Sequence, residues 1–274
     1  VRGAIYQPFP TASAARGQIW QHRPSTRRPR HFHAEPELNL ITNGIGTFGV
    51  GERELEVSAG DLLWWTPGQD HELLTASEDF GLYVVGLAPD FSERVLGTAS
   101  LAIHRGPQVT RLSPEQLTQL LEVCVAHSAD HDRTVIENNT GDFWRRAHSM
   151  RELASSTHTL THRSLRCVRE RPALRRDEVA ELTRACPSEI SRYFHRDMGM
   201  TLGSYRTRIR LLRFIQLVDS GAHSLLSASQ EAGFGSYSQC HRVFLQTFQC
   251  SPRTYFSTPL REATENAFAA TALG

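Results

Sequence analysis

Short apolar or alternating runs, LNLIT, GTFGV, ELEV, DLLWW and LYVVGL, follow one another between His31 and about Leu112, separated by glycine-containing turns. Short runs bounded by turn signals predict strands, and their regular spacing predicts a sandwich or small barrel. The texture changes at Ser113-Pro114-Glu115-Gln116, a helix start with Ser as N-cap, Pro at N1 and Gln at N3. Leu117, Leu120, Leu121 and Cys124 then recur at helical spacing. A polar stretch, SADHDR, closes that helix. A second helix is predicted over about 134–156, and SSTHTLTH (155–162) reads as a linker. From there to about Pro259 the pattern is helical, cut into short pieces by Gly and Pro, with the longest helix at roughly 202–219. Residues 1–30 are broken by Pro8, Pro10, Pro24 and Pro29, carry Arg27, Arg28 and Arg30, and read as a loose arm. The predicted organisation is an arm (1–30), a β-domain (31–112), linking helices (113–160), a helical domain (161–260) and a tail (261–274).

The length of 274 residues suits two ordinary domains. No run approaches the length of apolar sequence that a bilayer span needs, so no membrane association is expected. The first twenty residues lack the apolar core of a secretion signal. Five scattered cysteines with no CxxC pair fit a reducing compartment, and a cytoplasmic location is expected. The net charge of +1 hides an asymmetry. Residues 31–111 carry 12 acidic side chains against 4 arginines, whereas residues 160–262 carry 16 arginines against 9 acids. All 30 basic residues are arginine. A basic half joined to an acidic half points to a polyanion for one half only.

The basic half contains a repeat. At an offset of fifty, Ser188 meets Ser238, Arg192 meets Arg242, Phe194 meets Phe244, Met198 meets Phe248, Thr201 meets Ser251 and Tyr205 meets Tyr255. One structural unit used twice is implied. In the first copy Ile190 and Phe194 face inward, and Ser188, Ser191, Arg192 and His195 form the opposite stripe. In the second, Cys240, Val243 and Phe244 are the inner set, and Ser238, His241 and Arg242 the outer. Such a stripe suits a major groove, because arginine bonds guanine O6 and N7 together and Ser or His reaches other edges. A shorter helix precedes each stripe: RDEVAELTRA from Arg176, with Val179 and Leu182 as its apolar residues, and LLSASQEA from Leu225, which ends at Gly233-Phe234-Gly235. Helix, tight turn, helix is the helix-turn-helix pattern.

Residues 163–260 resemble the AraC family of bacterial transcription regulators. The likeness is strongest in GFGSYSQCHRVFLQTFQCSPRTY (233–255), similar to the family's Gly-Phe turn, Arg-x-Phe reading helix and Ser-Pro-x-x-Tyr close. Tyr205 and Arg210-Leu211 are similar to its linking helix. The resemblance implies double-stranded DNA as partner, base reading by Ser188, Ser191, Arg192, Ser238, His241 and Arg242, and weaker roles for His195, Arg196 and Tyr237. Four departures stand out: Cys186-Pro187 in place of a serine-led turn, Arg184 in place of the turn glycine, Cys240 in place of an aromatic and Phe214 in place of a small residue.

In the acidic half, His31-x-His33-x3-Glu37-x6-Gly44, with Gly60-Asp61, Pro67 and His71 further on, resembles the two motifs of the cupin barrel. His31, His33 and Glu37 would share one strand face, and His71 would close the set from a facing strand. Imidazoles with a carboxylate suit a divalent metal such as Zn, Fe, Mn or Ni. A metal-free small-molecule pocket and a purely structural barrel are the alternatives. Of Trp64 and Trp65, adjacent on one strand, only one is expected to face the interior. The expected fold is therefore a multi-domain α and β chain with an N-terminal cupin-like β-barrel, linking helices and a C-terminal all-α domain of two helix-turn-helix units. The expected function is an effector-responsive regulator, with the linking helices offering a homodimer surface. The alternative is a metal-dependent cupin enzyme with an accessory helical domain.

Overall fold

The computed structural model describes residues 4–9, 16–22, 29–96, 108–128, 132–151 and 159–257. Arg27, Arg28, linker residues 155–158 and the tail 261–274 lie outside the described residues.

The N-terminal half is β-rich. Strands β1 (Ile5–Tyr6), β2 (Gly17–His22), β3 (His31–Phe32), β4 (Glu37–Asn43), β5 (Ile45–Val50), β6 (Arg53–Ser58), β7 (Asp61–Trp65), β8 (Glu72–Ala76) and β9 (Gly81–Leu87) precede helix α1 (Pro89–Leu96) and β10 (Val109–Arg111). They form an antiparallel five-stranded sheet in the order β10-β7-β4-β9-β2, an antiparallel three-stranded sheet β6-β5-β8, and a small parallel pair β1-β3. Among the described residues no closed barrel is formed: β2 and β10 end the larger sheet, β6 and β8 end the smaller, and the backbone pairing of His31 with His71 is an isolated bridge. The expected loose arm is corrected as well. Gly17–His22 pairs along its whole length with β9, and His127 from a later helix accepts the Ile19 N–H at 3.1 Å.

The apolar runs have both faces covered. Leu62 and Trp64 join Leu38, Leu40 and Val85 in a core shared with helices α2 (Pro114–Ser128) and α3 (Arg133–Met150), where Trp64 meets Trp144 edge-on at 6.1 Å. Leu63 and Trp65 point the other way, into a core with Phe48, Val50 and Val57 of the smaller sheet. Both tryptophans are thus buried, because α3 covers the face that sequence alternation alone leaves to solvent.

The C-terminal half is helical: α4 (Thr159–Glu170), α5 (Arg176–Thr183), α6 (Pro187–Met198), α7 (Leu202–Asp219), α8 (Leu225–Glu231), α9 (Tyr237–Phe248) and α10 (Pro252–Phe256). Helix α4 begins inside the stretch read as a linker. The hydroxyls of Thr201, Ser224, Ser236 and Ser251 accept backbone N–H groups three residues on and start α7, α8, α9 and α10. Arg210 of α7 is buried, and it donates to the carbonyls of Pro172 at 2.6 Å and Ala173 at 3.0 Å. Gly233 packs on the same two residues so closely that a Cβ there would meet Ala173 N at 2.8 Å. One short loop therefore ties α7 to the turn between α8 and α9.

The turn between α5 and α6 is less relaxed. Arg184 sits in the left-handed region at φ 53° and ψ 47°, a conformation that favours glycine. Arg184→Gly is expected to raise the stability of this half by roughly 0.5–1 kcal/mol. An unchanged or lower midpoint in urea denaturation would show that the turn holds no strain.

Candidate nucleic-acid interface and histidine cluster

Each copy of the repeat builds an amphipathic helix. In α6, Ile190, Phe194 and Met198 are buried, while Ser188, Ser191, Arg192 and Arg196 are exposed and His195 is half-buried. In α9, Cys240 and Phe244 are buried, Val243 is half-buried, Ser238 and Arg242 are exposed, and Tyr237 and His241 are half-buried. Leu182, one of the two apolar residues named for α5, is 46% exposed; the inner set there is Val179, Ala180 and Thr183. Two of the departures from the family pattern are absorbed by packing. Phe214 contacts Phe244 at 5.8 Å and Phe256 at 6.0 Å, and Cys240 is fully buried, with burial pushing its thiol up to about 12.

The outer side chains differ in how they are held. Arg192 lies over the Tyr193 ring at 4.8 Å. Arg196 lies over the same ring and bonds Asp197 at 2.8 Å. Ser191 donates back to the Pro187 carbonyl at 2.8 Å, and Ser188 lies 3.1 Å from the Cys186 sulfur. His195 faces Glu52 of the N-terminal half at 3.3 Å. Among the described residues Arg242 has no acidic partner. At the head of α6, Cys186 leaves the capping to Glu189, whose carboxylate accepts the Cys186 N–H at 3.2 Å.

His31, His33, Glu37 and His71 come together between the sheets, although His33 lies just beyond the end of β3 rather than on it. One ring nitrogen of each histidine lies within 4.8 Å of the others, and all three rings are buried. The Nδ1 atoms of His31 and His33 each face a backbone carbonyl at 2.9 Å, that of Pro29 and of Glu35, and His71 Nδ1 faces Gln69 O at 3.4 Å. Only an N–H satisfies a carbonyl, so Nδ1 carries the proton and Nε2 turns inward. Glu37 Oε2 lies 2.9 Å from His33 Nε2 and 3.7 Å from His71 Nε2. Its other oxygen accepts from Asn39 at 2.7 Å, and Asn39 accepts from the Trp65 indole at 2.5 Å. Trp65 stacks on His71 at 4.5 Å with the rings nearly parallel.

Burial pushes the Glu37 carboxyl up, but the bond to His33, the charges of His71 and His33, and Asn39 outweigh it and bring it down to about 2. Burial holds His71 well below the usual imidazole range, and neighbouring His31 adds to that. Burial also lowers His33, but Glu37 and Glu35 overcome it and raise its proton affinity. The cluster is thus one carboxylate with one readily neutral and one readily charged imidazole beside it. Asn39 was legible from alternation, being two residues beyond Glu37 on the same strand face. Asp70 and Arg208, which pair at 2.5 Å beside the cluster, were not.

Residues 18–140 match the AraC-like ligand-binding domain, and residues 179–258 match a helix-turn-helix domain. No curated protein matches the chain. Among solved structures, ToxT from Vibrio cholerae is 15% identical, over 87% of this chain and 97% of that one, with a TM-score of 0.46. The AraC-like transcriptional activator CuxR is 10% identical, over 69% and 68% of the two chains, with a TM-score of 0.38. A predicted oxalate decarboxylase from Thermotoga maritima is 24% identical over 26% of this chain and 63% of that one, with a TM-score of 0.23. Carrying an AraC-like ligand-binding domain ahead of a helix-turn-helix domain, the chain belongs to the AraC family of effector-responsive, DNA-binding transcription regulators.

Proposed function

We propose that α5–α6 and α8–α9 are two helix-turn-helix units, whose second helices enter successive major-groove segments on one DNA face, about one turn or ~34 Å apart. The observation that carries this reading is the repeat in three dimensions: α6 and α9 each bury a phenylalanine and leave a Ser, His and Arg stripe on the outside. Ser188, Ser191 and Arg192, with Ser238, His241 and Arg242, are the base-reading set. Tyr237, His195 and Arg196 lie at its margins. The outward face of α2, with Val125 exposed, is the surface we assign to a homodimer. No described helix is long and apolar enough to cross a membrane, and we place the protein with its DNA in the cytoplasm.

For the sensor, the residues fit a divalent first-row cation: three buried imidazoles with Nε2 turned inward and one buried carboxylate. The cavity that His31, His71 and Glu37 line, with Asn39, Phe48 and Leu82, holds about 50 Å³. That is room for an ion and a few waters, each needing roughly 10–15 Å³. It is far below the roughly 300–1,000 Å³ of an organic ligand pocket. His31, His33, His71 and Glu37 would hold the ion, which when bound would supply a compact positive charge opposite the Glu37 carboxylate. The same lack of space beside an ion speaks against the cupin-enzyme alternative. A wider open groove of about 720 Å³, lined by Ile45, Thr75 and Ser58 among others, has its charged pair Asp61–Arg111 already joined at 3.0 Å, so it offers an organic effector less to orient it.

Co(II) titration of the full chain, followed by visible absorption, tests the sensor reading. Saturable binding is expected, weakened roughly tenfold in Glu37→Gln. Equal affinity in the variant, or no binding by the parent protein, would contradict it.

A further inference from the structure

The tight turn between β5 and β6, Val50-Gly51-Glu52-Arg53, is seated against the C-terminal end of α6. The Glu52 N–H donates to the Gly199 carbonyl at 3.0 Å, Arg53 donates to the Asp197 carbonyl at 2.9 Å, and the Glu52 carboxylate faces His195. The contact is backbone on backbone. A Cβ on Gly51 would overlap the Gly199 carbonyl, and a Cβ on Gly199 would overlap the carbonyl of Val50. Both glycines are left-handed, at φ +57° and +69°. Conformation alone does not demand glycine at 199: its counterpart in the second copy, Gln249, adopts φ 58° with a side chain. What distinguishes Gly199 from Gln249 is the β-domain backbone lying against it.

The far side of the turn is wired to the histidine cluster. Arg30 donates to the Gly51 carbonyl and pairs with Glu72 at 2.6 Å and Asp70 at 3.1 Å. Asp70, next to His71, also receives Arg208 of α7 at 2.5 Å with its own side chain only 4% exposed. The Arg208 guanidinium lies 4.9 Å over the ring of Phe32, the residue between His31 and His33. Residues interleaved with the cluster therefore grip α7, and Arg30 carries the same network to the turn that grips α6.

We infer that the β5–β6 turn is a latch, through which the sensor domain holds the first reading helix in a state of weak DNA affinity until an effector at the cluster rearranges the Asp70–Arg30 network. The inference rests on the reading of α6 as a DNA-reading helix. Glu52, followed on β6 by Glu54 and Glu56, sets negative charge beside that helix and occupies His195, so the closed latch opposes phosphate approach. The exposed Glu52–His195 pair holds little by itself. The backbone seat, the Arg53 bond to the Asp197 carbonyl and the buried Asp70 pairs do the holding. An effector acts only through a difference in affinity between the closed and open arrangements, and the cluster's direct wiring to the turn gives it that difference.

Gly51→Asn in the full chain tests the latch. Asparagine tolerates the left-handed region, but its Cβ collides with Gly199. Gly221→Asn is the control, at φ +70° with no atom within 4 Å of the added Cβ. The charge-neutral double variant Glu52→Ala/Arg53→Ala opens the latch by an independent route. Hydrogen exchange at the Glu52 amide and affinity for a mixed-sequence DNA duplex at fixed salt are read together. Lost protection with roughly fivefold or greater tightening is expected in both latch variants, and neither change in the control. Lost protection with unchanged or weaker DNA affinity would overturn the latch, as would full protection in both variants. If neither the parent protein nor either latch variant binds the duplex, the DNA reading of α6 falls, and the latch with it.

Discussion

Truncating Phe244 to alanine is expected to cost the helical half about 3–5 kcal/mol, the range for a large aromatic removed from a packed core. The side chain is fully buried, stacks on Phe248 at 4.1 Å, and meets Tyr255 at 5.4 Å, Phe214 at 5.8 Å and Phe256 at 5.9 Å. These rings come from α7, α9 and α10, so the void would open where three helices meet and could not be closed by moving one of them. A domain's whole stability is about 5–15 kcal/mol, so most of the second unit's margin would be lost. Urea denaturation followed by near-ultraviolet circular dichroism should show an early transition absent from the parent protein, with the tryptophan-rich β-domain transition left in place. A loss under about 1 kcal/mol would mean that α9 is not anchored through this ring.

The second large effect is on DNA. Arg242→Ala is expected to lower affinity for the cognate site by about 1–3 kcal/mol, the usual worth of a bidentate contact to guanine. Arg242 is exposed one helical turn beyond Ser238, and with no acidic partner among the described residues its guanidinium needs no release before binding. Arg196, bonded to Asp197 and stacked on Tyr193, has to leave both and should matter less. A phosphate contact gives a different signature: uniform weakening on all sequences and a salt slope reduced by about one. Competition titrations with cognate and mixed-sequence duplexes at several salt concentrations separate the two. Unchanged binding to the cognate site would remove α9 from the groove.

Legibility in the sequence followed the range of the interactions involved. Helix α7, expected at roughly 202–219, spans Leu202–Asp219: Thr201 caps it, and Tyr205, Ile209 and Leu212 repeat at helical spacing. The histidine cluster was readable because its motif spacing survives whatever the sheets do around it. Strand β2 was not: GQIWQH is short and sits in a proline- and arginine-rich stretch, and what orders it is pairing with β9 and a bond from His127, both distant in sequence. The closed barrel was over-read from strand spacing, which does not say whether the end strands meet. Alternation allows only one of Trp64 and Trp65 an inward place, because the helix that covers Trp64 comes about eighty residues later. Asp70–Arg208, whose partners are 138 positions apart, and the Gly51–Gly199 seat have no local signal at all.

The central claim is that α6 and α9 read DNA as a pair. Selection of bound duplexes from a random-sequence pool by the full chain tests it most directly. Two fixed blocks with centres about 10 base pairs apart are predicted, one lost with Arg192→Ala and the other with Arg242→Ala. A recovered pool indistinguishable from the input, or a single block untouched by either substitution, would contradict it.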